Sequence, residues 1–274
     1  MWATFKGSLV TKPQFSKVFS EYMDFDIGSK LRDWNYSSNE LNVRKIEGID
    51  GKPKIQVRMD LGLLQMEWEG RPDGLRPNDR DSQLDYFRSQ QRIKEKKSGP
   101  GSFILSREDC WQLAQEAMKF YWRRISFFEL KEYVLAERDA RHNLGILDLC
   151  YEYAEAEEDR QMAEQHTPFV TAHCIQARAL SHLDGDQHSK ALVEIRGGIT
   201  EIENYLRKTG RFDQLEHCPE LHFLREWETE VESKRPVSLR EKLSEELRSA
   251  IENDQFELAA DLRDRLRSLK SENW

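Results

Sequence analysis

Asp139 and His142 lie three residues apart in a stretch with helical patterning, a spacing that can offer one metal ion a carboxylate oxygen and an imidazole nitrogen. A carboxylate-bridged site needs a matching pair from elsewhere in the fold, and no second acid stands three residues before a histidine. No metal ligand set and no cofactor are therefore expected. His166, His173 and His182 read as core or surface histidines rather than catalytic ones. Cys110, Cys150, Cys174 and Cys218 are far apart, with no Cys-x-x-Cys pair, and are expected to be free thiols. No Gly-x4-Gly-Lys-Ser/Thr phosphate loop or other catalytic signature occurs, so the chain is not expected to be an enzyme.

One polar set deserves a ligand reading. Gln56, Arg58, Asp60 and Gln65 fall on the polar side of an alternating segment that runs into the turn Gly70-Arg71-Pro72-Asp73-Gly74, and together they offer a ligand or peptide face. The competing reading is an ordinary solvated sheet face. The elements that would position these residues follow from periodicity. Ile55, Val57, Met59 and Leu61 alternate with polar residues, the period of a half-buried strand. Leu41 to Ile49 precedes them, with Asp50-Gly51 as a two-residue hairpin turn. After Gly62 the apolar phase shifts to Leu64, Met66 and Trp68, which suggests a bulge or bend. A small antiparallel sheet over 41–69 is expected, followed by a polar linker or loop over 76–105.

Before the sheet, a short helix is expected around Pro13 to Met23, and after the linker helix dominates. Ser106 with Asp109 and Ser126 with Glu129 match capping boxes, predicting starts near Arg107 and Phe127. Trp111, Ala114, Met118 and Trp122 mark one apolar face; Leu130, Val134, His142, Ile146, Leu149 and Tyr153 mark the next. Thr167-Pro168 predicts a third start, and Asp184-Gly185-Asp186 a break. Two further helices carry Ala191, Leu192, Ile195, Ile199, Ile202 and Leu206, then Leu221, Leu224, Trp227 and Val231 from Pro219. The two helices flanking Asp184-Gly185-Asp186 resemble one tetratricopeptide unit, with Ala179, Ala191 and Gly198 as its small residues, but no copy recurs at a 34-residue period.

The expected fold is mainly α: an antiparallel helical bundle with one TPR-like hairpin, a small N-terminal antiparallel β-sheet and a C-terminal helical hairpin. Its divisions are 1–75, 76–105, 106–235 and 236–274. Of the 274 residues, 38% are hydrophobic and 34% charged, with seven Trp, thirteen Phe and eight Tyr, enough aromatic surface to argue against disorder. A net charge of -8 gives no bulk attraction to nucleic acid or anionic membrane, although Arg and Lys between Arg71 and Lys97 allow a local basic patch. Residues 1–30 lack the apolar run of a secretory leader and no segment approaches bilayer-spanning length, so a cytoplasmic protein is expected.

The clearest pattern is C-terminal. Ser238-Leu239-Arg240-Glu241 supplies a capping box, and Leu239, Leu243, Leu247, Ala250 and Ile251 then share a face. Asn253-Asp254-Gln255 interrupts. Phe256, Ala259, Ala260, Leu262, Leu266 and Leu269 make a second stripe, whose small alanines permit close antiparallel packing. This hairpin resembles the UVR motif of bacterial excision-repair and stress proteins, most closely over Phe256-Glu257-Leu258-Ala259-Ala260-Asp261-Leu262-Arg263-Asp264. The resemblance implies protein contact, commonly between two UVR motifs. It nominates Leu243, Leu247, Phe256, Leu262 and Leu266 as packing or partner-binding positions, with Glu257, Arg263 and Asp264 as polar contacts. The expected function is a non-enzymatic adaptor that docks a UVR-bearing partner or self-associates. The alternative is a DNA-associated accessory factor in nucleotide excision repair, using the Arg71 to Lys97 basic residues.

Overall fold

A computed structural model of the chain describes residues 27–236 and 239–271. The expected helix at Pro13 to Met23 and the Ser238 cap lie outside the described residues. The chain divides into two compact units between Arg178 and Ala179. The fold is mainly helical with a small antiparallel sheet, as expected, and among the described residues no helix is long and apolar enough to cross a membrane.

The first unit opens with the short α1 (Gly28–Leu31) and the sheet, β1 (Asn42–Glu47), β2 (Pro53–Met59) and β3 (Gly62–Glu67), in the order β1-β2-β3. The β1–β2 connection is longer than a two-residue turn. Glu47 pairs with Pro53, the Gly48 N–H donates to Lys52 O, and Gly51 sits at φ 72° closing a turn onto Gly48 O. That is a three-residue loop with a left-handed glycine. The phase shift expected at Gly62 is no bulge: Met59 pairs with Gly62 across Asp60-Leu61, so the strand reverses and its parity changes. Leu61, expected in the strand, is therefore an exposed turn residue. Ile55, Val57, Met66 and Trp68 form one sheet face that packs on Phe127, Ala136 and Ala177, with Trp68 edge-on to Phe127 at 5.1 Å.

Residues 83–98, expected within a linker or loop, form the helix α2 (Gln83–Ser98). Ser82 caps it by accepting from the Asp85 N–H, and Leu84 and Phe87 are buried. The low apolar content hid it, because two large anchors suffice where the remaining faces are solvated. Next come α3 (Arg107–Glu129), α4 (Tyr133–Tyr153) and α5 (Glu157–Leu183). The Ser106–Asp109 capping box forms. The one expected at Ser126 does not: Ser126 is internal to α3, its hydroxyl donating to Trp122 O, and the break falls at Lys131 in the left-handed region (φ 58°). The Glu132 N–H reaches back to Phe127 O to close that helix end. Thr167-Pro168 likewise starts nothing; both sit inside α5, where the Thr167 hydroxyl donates to Ala163 O.

The buried face of α3 also differs from expectation. Trp111 and Met118 are exposed, while Cys110, Leu113, Glu116, Phe120, Arg123 and Phe127 face inward. On α4, Val134 is exposed and Ala136, Asp139, Ala140 and Asn143 are buried beside Ile146 and Leu149. Reading charge as solvent-facing turned the α3 stripe away from the core, whereas on α4 Ile146 and Leu149 are buried as expected and only Val134 departs. Buried Leu84, Phe87, Phe103, Leu105, Leu113, Ile146 and Leu149 form the main cluster of this unit. An isolated parallel bridge joins Leu105 to Ala154.

In the second unit, α6 (His188–Lys208) buries Ala191, Leu192, Ile195, Ile202 and Leu206, and α7 (Pro219–Lys234) buries Leu221, Leu224 and Val231. Both match their sequence stripes. Arg196 bonds Glu228 and Glu232 while Glu203 bonds Arg225, so the pairing runs in opposite directions along the two helices and the pair is antiparallel. The hairpin α8 (Leu239–Glu252) and α9 (Phe256–Ser271) completes the unit.

Candidate interaction site

The α8–α9 hairpin has a core of its own. Leu243 and Ala250, one face of α8, meet Ala259 and Leu262 of α9, with Leu247 and Leu266 half-buried at the margin. The alanines at 250 and 259 have no side-chain bulk beyond Cβ, which brings the two backbones close near the turn. The turn is fixed by Asp254 in the left-handed region (φ 58°) and by the Gln255 N–H donating to Ala250 O. Asp tolerates that conformation better than most residues, and the bond satisfies a carbonyl left open at the end of α8.

This geometry separates the nominated residues into two groups. Leu243 and Leu262 are interior to the hairpin, so they hold it together and cannot also reach a partner without opening it. Phe256 is 69% exposed, and Ile251 and Leu258, neither nominated from the sequence, are 54% and 48% exposed. The three flank the Asn253-Asp254-Gln255 turn, giving the hairpin an apolar tip. Phe256 and Leu258 stand two positions apart on α9 and so project to different sides of it. Glu257, Arg263 and Asp264 are exposed. The Arg263–Asp264 pair stands at 3.4 Å between two exposed side chains, and such pairs add little to stability. The side chains of Leu239 and Leu269 lie outside the described residues.

The sheet residues are brought together differently from a solvated face. Gln56 is buried: it accepts from Nε and Nη2 of Arg44 (2.9 and 2.7 Å) and donates to Gln65 Oε1 (2.8 Å), a polar ladder across all three strands. Trp34 lies 4.0 Å under the Arg44 guanidinium. Arg58 donates to Leu31 O at 2.9 Å and borders a groove of about 550 Å³ together with Gly28, Leu31, Arg32, Trp34, Asn35 and Tyr36. Asp60 sits in the β2–β3 turn, where its carboxylate accepts from the Tyr36 phenol and pushes that phenol's pKa up. Gln56 is thus consumed in holding the sheet together; Gln65 accepts its bond yet stays exposed, as does Asp60, and Arg58 is half-buried.

Asp139 and His142 do not converge on one point. Asp139 is fully buried and accepts from Nε and Nη2 of Arg123 at 2.6 and 2.9 Å and from Arg138 Nε at 3.1 Å. Arg123 Nη1 also donates to Glu67 O and Gly70 O, tying the end of β3 to α3. His142 stacks on Phe120 and bonds Glu116 at 3.0 Å. Burial would raise the Glu116 carboxyl, but bonds from His142 and from the Gln83 and Leu84 N–H groups outweigh it and hold the pKa low. Arg71 Nε stands 3.0 Å from Glu116 without pointing its N–H at the oxygen, an ion pair more than a hydrogen bond. The arrangement is a buried bracket for sheet and helices, and its only advance sign in the sequence was the clustering of charges on otherwise helical stripes. Among the described residues no group of three or more His, Cys, Asp or Glu could hold a metal ion.

The four cysteines are buried free thiols. Cys110 and Cys150, forty positions apart in the numbering, are hydrogen-bonded to one another, which raises the Cys150 thiol's pKa steeply and lowers that of Cys110.

No curated protein and no solved structure matches the chain. The family described as the UvrB/uvrC motif, UVR, does match, over residues 238–272, the stretch that folds as the α8–α9 hairpin. These residues are a UVR motif.

Proposed function

We propose that the chain is a non-enzymatic adaptor that uses the tip of its UVR hairpin to dock a UVR-bearing partner or a second copy of itself. The observation that carries this reading is the exposure of Phe256, with Ile251 and Leu258 beside it, on a hairpin whose own core is already filled by Leu243, Ala250, Ala259 and Leu262. An interior residue is exhausted by folding; an exposed aromatic at a defined turn is available for binding. Glu257 stands at that tip and Arg263 and Asp264 lie exposed about two turns further along α9, charges of both signs suited to setting orientation rather than affinity. The test compares the full chain, the chain lacking 236–274 and Phe256→Ser. Loss of sedimenting mass, or of capture of a purified UVR-bearing protein, in both variants is expected. Unchanged mass and unchanged capture in both would refute the reading.

A second reading, a DNA-associated accessory factor, draws on Arg88, Arg92 and Lys96, which are exposed at four-residue spacing along α2. Duplex DNA binding at low salt that falls steeply with added salt, and is lost on replacing these three by Glu, would favour it. The net charge of -8 weighs against it.

A further inference from the structure

A cavity of about 320 Å³ lies between α3, α4 and α5, walled mainly by apolar side chains including Ala114, Ala117, Ile146, Leu147 and Val170. Its exposed rim carries Met118, Met162 and Phe169. α3 and α5 run alongside each other in the same direction here: Asp159 acts electrostatically on Cys110 at one end, and Tyr121 meets Phe169 further along, ring centroids 6.3 Å apart. The cavity is therefore elongated, and its walls include three side chains with buried polar atoms that have no hydrogen-bond partner. These are Nε and Nη1 of Arg124, Oδ1 of Asn143 and Oδ2 of Asp159.

Arg124 is the telling one. It is 1% exposed, and the carboxylate that a buried guanidinium would ordinarily take, Asp139, is engaged in a bidentate bond with Arg123. Arg124 has instead the faces of Tyr121 and Phe169, at 5.4 and 6.0 Å. Burial pulls its pKa down to about 10, which still leaves it cationic at neutral pH. Next to it the imidazole of His173, depressed to about 4 by burial and by Arg124 itself, is neutral and supplies no counter-charge. A buried cation with unpaired N–H groups costs several kcal/mol. A fold carries such a group where something anionic completes it.

We propose that this cavity binds a small amphipathic carboxylate, its anionic head on Nε and Nη1 of Arg124 and its apolar body along the α3–α4–α5 wall. The volume admits about ten non-hydrogen atoms at the ~30 Å³ a water-sized group occupies, the size of a medium-chain fatty acid or an aryl-alkanoic acid. Asn143 and Asp159 add acceptors, favouring a ligand with a hydroxyl or amide N–H away from its head. This site is independent of the UVR tip, since all its residues lie in the first unit.

The experiment titrates the full chain with octanoate, octanol and octylammonium by calorimetry, and repeats the octanoate titration on Arg124→Met and Ala117→Phe. Octanoate is expected to bind saturably, octanol about tenfold or more weakly, and octylammonium not at all. Arg124→Met removes an uncompensated charge at similar volume, so it is expected to raise the melting temperature of the free protein while losing octanoate binding. Ala117→Phe fills the cavity, keeps Arg124 and is also expected to lose binding. Equal binding of octanoate and octanol would overturn the proposal, as would octanoate binding that survives Arg124→Met. A fall in melting temperature with Arg124→Met would overturn it too, since it would make the guanidinium a structural brace. No octanoate binding by the wild-type chain, with aryl-propionate equally inert, would also overturn it.

Discussion

Asp139→Asn is the substitution with the most consequence for the first unit. The carboxylate is fully buried and accepts three charge-assisted bonds, two from Arg123 and one from Arg138. Asparagine keeps the shape and one acceptor oxygen but points an NH2 donor at a guanidinium and leaves the Arg123 charge buried. Losing about two charge-assisted bonds at roughly 1.5–3 kcal/mol each agrees with the about 3–5 kcal/mol typical of breaking a buried pair from one side. That is a large part of the roughly 5–15 kcal/mol available to a domain. The double variant Arg123→Met/Asp139→Leu removes both charges; its residual cost is the two carbonyls, Glu67 O and Gly70 O, that Arg123 Nη1 serves, at about 1 kcal/mol each. Urea unfolding followed by tryptophan fluorescence, with amide exchange at β3 as a local readout, measures both. The double variant should be more stable than Asp139→Asn alone. A cost below about 1 kcal/mol for Asp139→Asn, or a double variant as damaged as the sum of its single changes, would refute the bracket.

Leu262→Ala is expected to cost the hairpin about 2–5 kcal/mol, as for a buried leucine, whereas Phe256→Ser should stay within about 0.5 kcal/mol by thermal melting of the full chain. Lys131→Gly should gain about 1 kcal/mol, because φ 58° burdens a residue with a Cβ and not glycine; chemical denaturation checks it. His173 is held near pKa 4 in the fold against about 6.5 unfolded, so between those values the unfolded chain binds more protons. Stability should therefore fall by up to about 3 kcal/mol as pH drops from 6.5 to 4, and His173→Gln should flatten that slope. The low pKa of Glu116 acts in a separate window: its contribution is full above the ordinary carboxylate range and is lost as pH falls through and below it. Cys150, buried with a raised pKa, should react with a thiol reagent only as fast as the first unit opens, which timed labelling in increasing urea reads directly.

The amino-acid pattern alone determined the elements whose burial is purely apolar. The α6 and α7 faces, the inner α8–α9 stripe of Leu243, Ala250, Ala259 and Leu262, and the burial of Ile55, Val57 and Met66 are where periodicity puts them, whereas Gln56 is buried and Met59, Ile251 and Phe256 are exposed against their residue type. The UVR motif was legible in that same pattern. Misreadings gather where charge goes inside. On α3 and α4 the buried Arg123 and Asp139 satisfy each other across sixteen residues, Glu116 is held by His142, Arg71 and the Gln83 and Leu84 N–H groups, and Arg124 faces a cavity, so a rule that sends charge to solvent misplaces the buried face of α3. The start signals at Ser126 and Thr167 were genuine hydroxyls with a second use, bonding the carbonyl four residues back within a longer helix. The tertiary structure alone decided which of the hairpin's apolar residues are spent on its core and which, like Phe256, remain exposed. It also decided that Arg123 takes the carboxylate and Arg124 does not. Adjacent arginines are equivalent in sequence; about 100° of helical rotation between them gives one a counter-ion and the other a cavity.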